Sequence, residues 1–280
     1  MPTPLVDIGW LQAHLHRREV VLIDCRFALS APHQGRQAYE QGHLPGAYYL
    51  DLNQDLSSPA RAHGGRHPLP DIDKLVAKLE ALGITSNPAT AVVAYDSTKG
   101  AFASRLWWLL RYLGHENVAL LEGGFPAWQA AQFPLEQTVP SKPEPGSFIP
   151  CVQSDWVVDH DEVTQQKGIP GTLLVDARSP ERFRGEQEPI DPIAGSIPGA
   201  MNIFWQSNLD AEGKFKQPPQ LQQVWDVIPQ AENSIFYCGS GVTACVNILA
   251  QTLLGRPMAK LYLGGWSDWC SYYSAGSSRQ

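Results

Sequence analysis

The most constraining feature of this chain is that it repeats itself. Leu22-Ile23-Asp24-Cys25-Arg26 returns as Leu174-Val175-Asp176-Ala177-Arg178, and Leu44-Pro45-Gly46-Ala47 returns as Ile197-Pro198-Gly199-Ala200. Val93-Ala94-Tyr95-Asp96 is matched by Ile235-Phe236-Tyr237-Cys238. Gly123-Gly124 with Trp128 is matched by Gly264-Gly265 with Trp269. The echoes keep their order at separations of roughly 140–150 residues, far longer than the 20–50 residues of a solenoid repeat. A whole domain has been duplicated.

Each copy alternates short apolar runs with stretches of helical periodicity. Strands are expected over Val20–Asp24, Tyr48–Leu50, Ala91–Tyr95 and Val118–Leu121, then over Leu173–Asp176, Met201–Phe204, Ser234–Tyr237 and Lys260–Leu263. Helices are expected over Asp73–Leu82, Ala101–Leu113, Leu221–Ile228 and Thr243–Leu254. This alternation predicts an α/β fold, each copy a mostly parallel sheet with helices on both faces. Pro140, Pro143 and Pro145 crowd the join and favour an extended linker. The division is therefore domain 1–137, linker 138–150, domain 151–280.

Composition removes several function classes. A net charge of −7 with no basic run leaves nothing to neutralise nucleic-acid phosphates. No apolar stretch reaches the length of about 18 residues that spans a bilayer, and Met1–Asp7 lacks the pattern of a secretory signal. Five cysteines without a Cys-x-x-Cys pair suit neither a zinc site nor a disulfide framework, so free thiols in the cytoplasm are expected and no metal.

Of the five, Cys238 stands apart. An apolar strand ends on it, Gly239 and Gly241 follow, and a helix begins near Thr243. Orphan N–H groups and the positive end of a helix dipole favour an anion at such a junction, and a thiolate is one. On a parallel sheet the carboxyl ends of strands are also where ligands bind. Cys25, Cys151, Cys245 and Cys270 read as small packing residues. Two rival chemistries share the loop. Gly239-x-Gly241-x-x-Ala244 has the form of a dinucleotide fingerprint, but no acid closes the next strand at Leu261-Tyr262-Leu263. A phosphatase loop needs arginine six positions after its cysteine, and that position is Ala244.

Taken together, the paired Asp-x-Arg strands, the Pro-Gly-Ala turns, the Gly-Gly segments and the loop Cys238-Gly239-Ser240-Gly241-Val242-Thr243 resemble the tandem rhodanese family of sulfurtransferases. The resemblance runs from about Leu5 to Trp269. It implies two rhodanese-like domains, of which only the second is catalytic, since Asp96 holds in the first copy the place of Cys238. The first domain would then be a packing partner and a wall of the cleft. The Gly239-Ser240 pair is similar to the loop of 3-mercaptopyruvate sulfurtransferases, whereas thiosulfate-using relatives carry basic residues there.

The chemistry that the resemblance implies is a Cys238 persulfide formed from 3-mercaptopyruvate, a small anionic donor, and passed to a thiol, cyanide or thioredoxin-like acceptor, without a cofactor. The alternatives are a thiosulfate sulfurtransferase and a non-catalytic persulfide carrier or protein-binding module. By the same resemblance, residues 239–243 cradle the persulfide, Arg182 binds the donor and His67 approaches Ser240 in a proton relay. Arg178 reads as structural, paired with a local carboxylate. Two positions depart from the pattern: Ile190 stands where a second arginine is expected, leaving Arg178, Arg184 or Arg66 to replace it, and Asn53 stands at the relay carboxylate. The reading also requires a sulfur that solvent can reach.

Overall fold

The computed structural model describes residues 3–87, 89–229 and 231–273; the polar tail, 274–280, lies outside them. The chain forms two compact units. The first comprises Met1–Ser58, Leu69–Gln153 and Ala211–Lys214. The second comprises Pro59–Pro68, Ser154–Asp210 and Phe215–Gln280. Residues 59–68, which the sequence pattern assigns to the first copy, thus pack with the second unit, and they bring Arg66 and His67 with them.

The first unit runs β1 (Leu5–Val6), α1 (Ile8–His14), β2 (Val20–Asp24), α2 (His33–Gln41), β3 (Tyr48–Tyr49), α3 (Ile72–Ala81), β4 (Ala91–Tyr95), α4 (Ala103–Tyr112), β5 (Val118–Leu121) and α5 (Gly124–Ala130). The second repeats the series: β6 (Val157–Val158), α6 (His160–Gln166), β7 (Thr172–Asp176), α7 (Pro180–Arg184), β8 (Met201–Asn202), α8 (Pro218–Trp225), β9 (Asn233–Tyr237), α9 (Ala244–Leu253), β10 (Lys260–Tyr262) and α10 (Gly265–Ser271). Sheet orders are β1-β5-β4-β2-β3 and β6-β10-β9-β7-β8, and every pairing is parallel. The duplication is therefore one of topology as well as of sequence.

Each sheet has five strands where the sequence pattern suggested four. The extra ones, β1 and β6, are two residues long, too short to carry a period, and parallel partners alone define them. β4 is buried along its whole length, as a central parallel strand covered on both faces should be. Each sheet has its own core: Val93, Tyr95, Leu121 and Trp128 in the first unit, and Leu174, Ile235, Tyr262 and Trp266 in the second. Burying each such side chain contributes about 1.5–3 kcal/mol. The linker residues 138–150 do not hang free. Gly146 N–H donates to the Glu80 carbonyl and Phe148 N–H to the Glu80 carboxylate.

The repeated Asp-x-Arg and Pro-Gly-Ala motifs meet in space. Arg178 donates to both Asp176 oxygens and to the Gly195 carbonyl at 2.6 Å, while Ile197 N–H donates to the Tyr237 hydroxyl. In the first unit Arg26 donates to Asp24 and to the Gly42 carbonyl, and Leu44 N–H donates to the Tyr95 hydroxyl. Burial opposes the charge on Arg178, but the adjacent Asp176 carboxylate outweighs it and holds its pKa above the ordinary value. Each network ties the end of a central strand to the turn that leads into its neighbour. In the second unit this fixes the carboxyl end of β7 beside that of β9.

Candidate active site

β9 delivers Cys238 to the carboxyl end of the sheet, and α9 starts six residues later. Between them the backbone turns at Gly241, whose φ of +68° suits glycine and whose missing Cβ leaves room for the Leu263 carbonyl. The Cys238 carbonyl accepts from Trp266 N–H at 2.8 Å, and the Gly239 carbonyl from Ser267 N–H at 2.9 Å. Gly265 (φ +59°) makes this approach possible, since a Cβ there would sit 2.5 Å from the Cys238 carbonyl oxygen. In the first unit Phe125 N–H donates to the Asp96 carbonyl and Gly124 (φ +56°) packs on the same oxygen. The repeated Gly-Gly segment is thus a backbone clamp on the residue at the strand end.

What such a loop holds is visible in the first unit. Asp96 accepts from the N–H groups of Thr98, Gly100, Phe102 and Ala103 at 2.7–2.9 Å. Burial raises its pKa even so, and the four amides work in the opposite direction. The first loop is therefore an anion cradle filled by its own carboxylate. In the second unit, the N–H groups of Gly239, Ser240, Val242 and Thr243 have no acceptor among the described residues. The side chain at the strand end is now a thiol, too short and too weak an acceptor to satisfy them as Asp96 does.

His67 and Ser240 are both buried, with Nδ1 and Oγ 2.7 Å apart in one hydrogen bond. α10 holds the segment that carries His67. Gly64 N–H donates to Asp268, Arg66 N–H donates to the Ser267 hydroxyl, and His63 shares a hydrogen bond with Ser271. Asn53 is exposed, and its N–H donates to Asp51.

Arg182, on α7, donates from Nε and Nη2 to Glu188 and from Nη2 to Asp191 at 3.1 Å. Arg66 Nη1 pairs with the other oxygen of Asp191. Both guanidinium groups end against Gly239, where a Cβ would lie 2.8 Å from Arg66 Nη2 and 3.7–3.8 Å from two nitrogens of Arg182. Arg178 faces away into Asp176 and Glu188, and Arg184 pairs with exposed Glu186. Of the arginines the sequence offered as a second cation, the structure brings Arg66 beside the loop. Burial pushes the Asp191 carboxyl up and Arg66 pulls it back. Glu188 lies below its usual range: burial opposes its charge, but hydrogen bonds from Arg182 and from backbone amides prevail. The sequence reading missed Glu188 and Asp191, because nothing in their spacing says that Arg66 will arrive from more than a hundred residues away.

Cys238 is only 2% exposed, less open than the sequence reading required. The Gly-Gly segment bonds the carbonyls of Cys238 and Gly239, and the two guanidinium groups lie against Gly239. Two other buried cysteines, Cys25 and Cys270, are disfavoured as thiolates. Burial, assisted by Asp24, pushes Cys25 far up, and burial, assisted by Asp191, pushes Cys270 up to about 12. Cys245 donates to the Gly241 carbonyl, and Cys151 is exposed. A cavity of about 160 Å³ lined by Leu173, Trp225, Ser234 and Arg256 lies at the opposite end of β7 and β9 and contains none of these groups.

The model of the rhodanese-like domain matches residues 7–131 and 159–272. The chain belongs to the rhodanese family. A Pseudomonas aeruginosa relative with the name probable 3-mercaptopyruvate sulfurtransferase is 44% identical over 95% of this chain and 94% of its own length. A Mycobacterium tuberculosis relative, SseB, provisionally named a thiosulfate sulfurtransferase, is 39% identical over 90% of this chain and 88% of its own length. The crystal structure of SseA from Escherichia coli, a 3-mercaptopyruvate sulfurtransferase, superposes with a TM-score of 0.81 at 30% identity, covering 95% of this chain and 99% of that one. Two rhodanese domains, each with a five-stranded parallel sheet, match the architecture that the duplicated motifs implied.

Proposed function

We propose that this rhodanese is a sulfurtransferase that carries sulfur as a Cys238 persulfide and takes it from 3-mercaptopyruvate. The observation that carries the reading is the contrast between the two loops: four amides grip a built-in carboxylate at Asp96, and in the equivalent loop after the Cys238 thiol the N–H groups of Gly239, Ser240, Val242 and Thr243 have no acceptor among the described residues. An anion belongs in such a loop, and the start of α9 adds the positive end of its dipole. The thiolate of Cys238 attacks the donor sulfur. The sulfur–sulfur bond forms as the carbon–sulfur bond breaks, and the electron pair leaves with pyruvate as its enolate, which takes up a proton. The amides of residues 239–243 hold the resulting anionic persulfide. Cyanide, a thiol or a thioredoxin-like protein then attacks the outer sulfur and restores the Cys238 thiolate.

Arg182 and Arg66 bind the donor carboxylate, Arg66 replacing the cation that Ile190 cannot supply. The His67–Ser240 hydrogen bond fixes the loop hydroxyl and moves a proton at Ser240 Oγ as pyruvate departs. Asn53 lends that relay no carboxylate. Five free cysteines fit a reducing cytoplasm as the place of action. Among the described residues no helix is long and apolar enough to cross a membrane.

The similarity to the mycobacterial relative supports thiosulfate as a second donor reading. Steady-state rates with both donors, on the wild type and on Cys238→Ser, test the assignment. The wild type should favour mercaptopyruvate in kcat/KM, and the variant should lose turnover and gain no sulfur by mass spectrometry. A large thiosulfate advantage would reverse the donor choice, and turnover by the variant would remove Cys238 from the mechanism.

A further inference from the structure

Arg182 does not need Asp191 to hold it. Glu188 already takes its Nε at 3.2 Å and its Nη2 at 2.7 Å. Yet the Asp191 carboxylate, 3% exposed, stretches between Arg182 and Arg66, the two cations that flank Gly239 beside Cys238. Within this cluster Arg66, Arg178 and Arg182 are opposed by Asp176, Glu188 and Asp191, so formal charge cancels. Two guanidinium groups are presented to a ligand, but the field behind them is that of a balanced cluster.

We propose that Asp191 is a donor-selectivity residue: by cancelling one charge of the Arg66–Arg182 pair it makes the site take a singly charged carboxylate donor over a doubly charged one such as thiosulfate. The physical basis is linear. A fixed charge interacts with a ligand in proportion to the ligand's own charge, so removing one negative charge favours a dianion twice as much in free energy as a monoanion. The donor preference then shifts by the gain of a single charge. For a partly buried group one ligand length from the donor this is about tenfold, and it shrinks with added salt. The inference rests on the proposed chemistry only for its kinetic readout; the charge balance stands on the geometry of the cluster.

Asp191→Asn keeps the shape and removes the charge. Its ratio of kcat/KM for thiosulfate over 3-mercaptopyruvate, with cyanide as acceptor, should rise about tenfold at low salt, with a smaller rise at high salt. Glu186→Gln, which removes the same formal charge from the exposed pair with Arg184, should leave the ratio where it was. An unchanged ratio in Asp191→Asn, or a shift toward mercaptopyruvate, would overturn the proposal. Should that variant not fold, calorimetry on the wild type still decides: pyruvate should bind at least as tightly as sulfate, and tighter sulfate binding would refute the charge argument. Binding needs no turnover. Failure of the Cys238 chemistry would therefore appear as lost activity with both donors, separate from the anion preference measured by calorimetry.

Discussion

Duplication supplies a matched pair of mutations, Gly265→Ala and Gly124→Ala. Both glycines sit at positive φ, +59° and +56°, and both press on the carbonyl of a strand-end residue, Cys238 or Asp96. An added methyl in the left-handed region costs about 1–2 kcal/mol. Forcing it against a carbonyl oxygen in a packed interior adds about 1–3 kcal/mol. Each variant should therefore lose about 2–5 kcal/mol and melt roughly 5–15 °C lower. Their effects on catalysis should differ.

The Gly265 methyl would lie 2.5 Å from the Cys238 carbonyl oxygen and 3.1 Å from Ser240 N, so relief must come from moving the loop. Displacing a reacting atom by about 1 Å can lower a rate by about a hundredfold. Gly124 clamps only the self-filled loop. Folded Gly265→Ala should thus lose about a hundredfold in kcat while Gly124→Ala keeps wild-type kcat, both assayed well below their melting temperatures and checked by circular dichroism. Equal losses of kcat in the two variants would refute the idea that the clamp sets the position of Cys238. Wild-type stability in both would refute the steric argument itself.

Arg182→Gln should raise KM for mercaptopyruvate by about 10–100-fold with a smaller change in kcat, the loss expected for one charge-assisted hydrogen bond to a donor anion; an unaltered KM would remove it from donor binding. Alkaline stability should follow the buried thiol of Cys270. Its folded pKa is raised from 9.0 to about 12, so its contribution is complete below pH 9 and is lost as pH climbs through about 12. Urea midpoints should fall over that window and fall less steeply in Cys270→Ala, whereas a profile identical to that of the wild type would rule this thiol out as a source of the slope.

The sequence by itself determined the duplicated α/β architecture, the central strands and the strand-to-helix junction at Cys238. These are set by local chemistry: apolar runs make β2, β4, β5 and β9, glycines make the turns, and a strand end followed by a helix start makes an anion site. The same local logic separated Asp96 from Cys238. It did not reach the two-residue strands β1 and β6, which exist only because β5 and β10 offer them parallel partners. Nor did it reach the wall of charge around Gly239. Arg66 comes from residues 59–68, pinned by Ser267 and Asp268 of α10, and meets Asp191 and Arg182 across long stretches of chain. A charge has no preferred partner in sequence; its partner is whichever opposite charge the packed backbone brings within reach, so the charge balance beside Gly239 was decided by the tertiary fold.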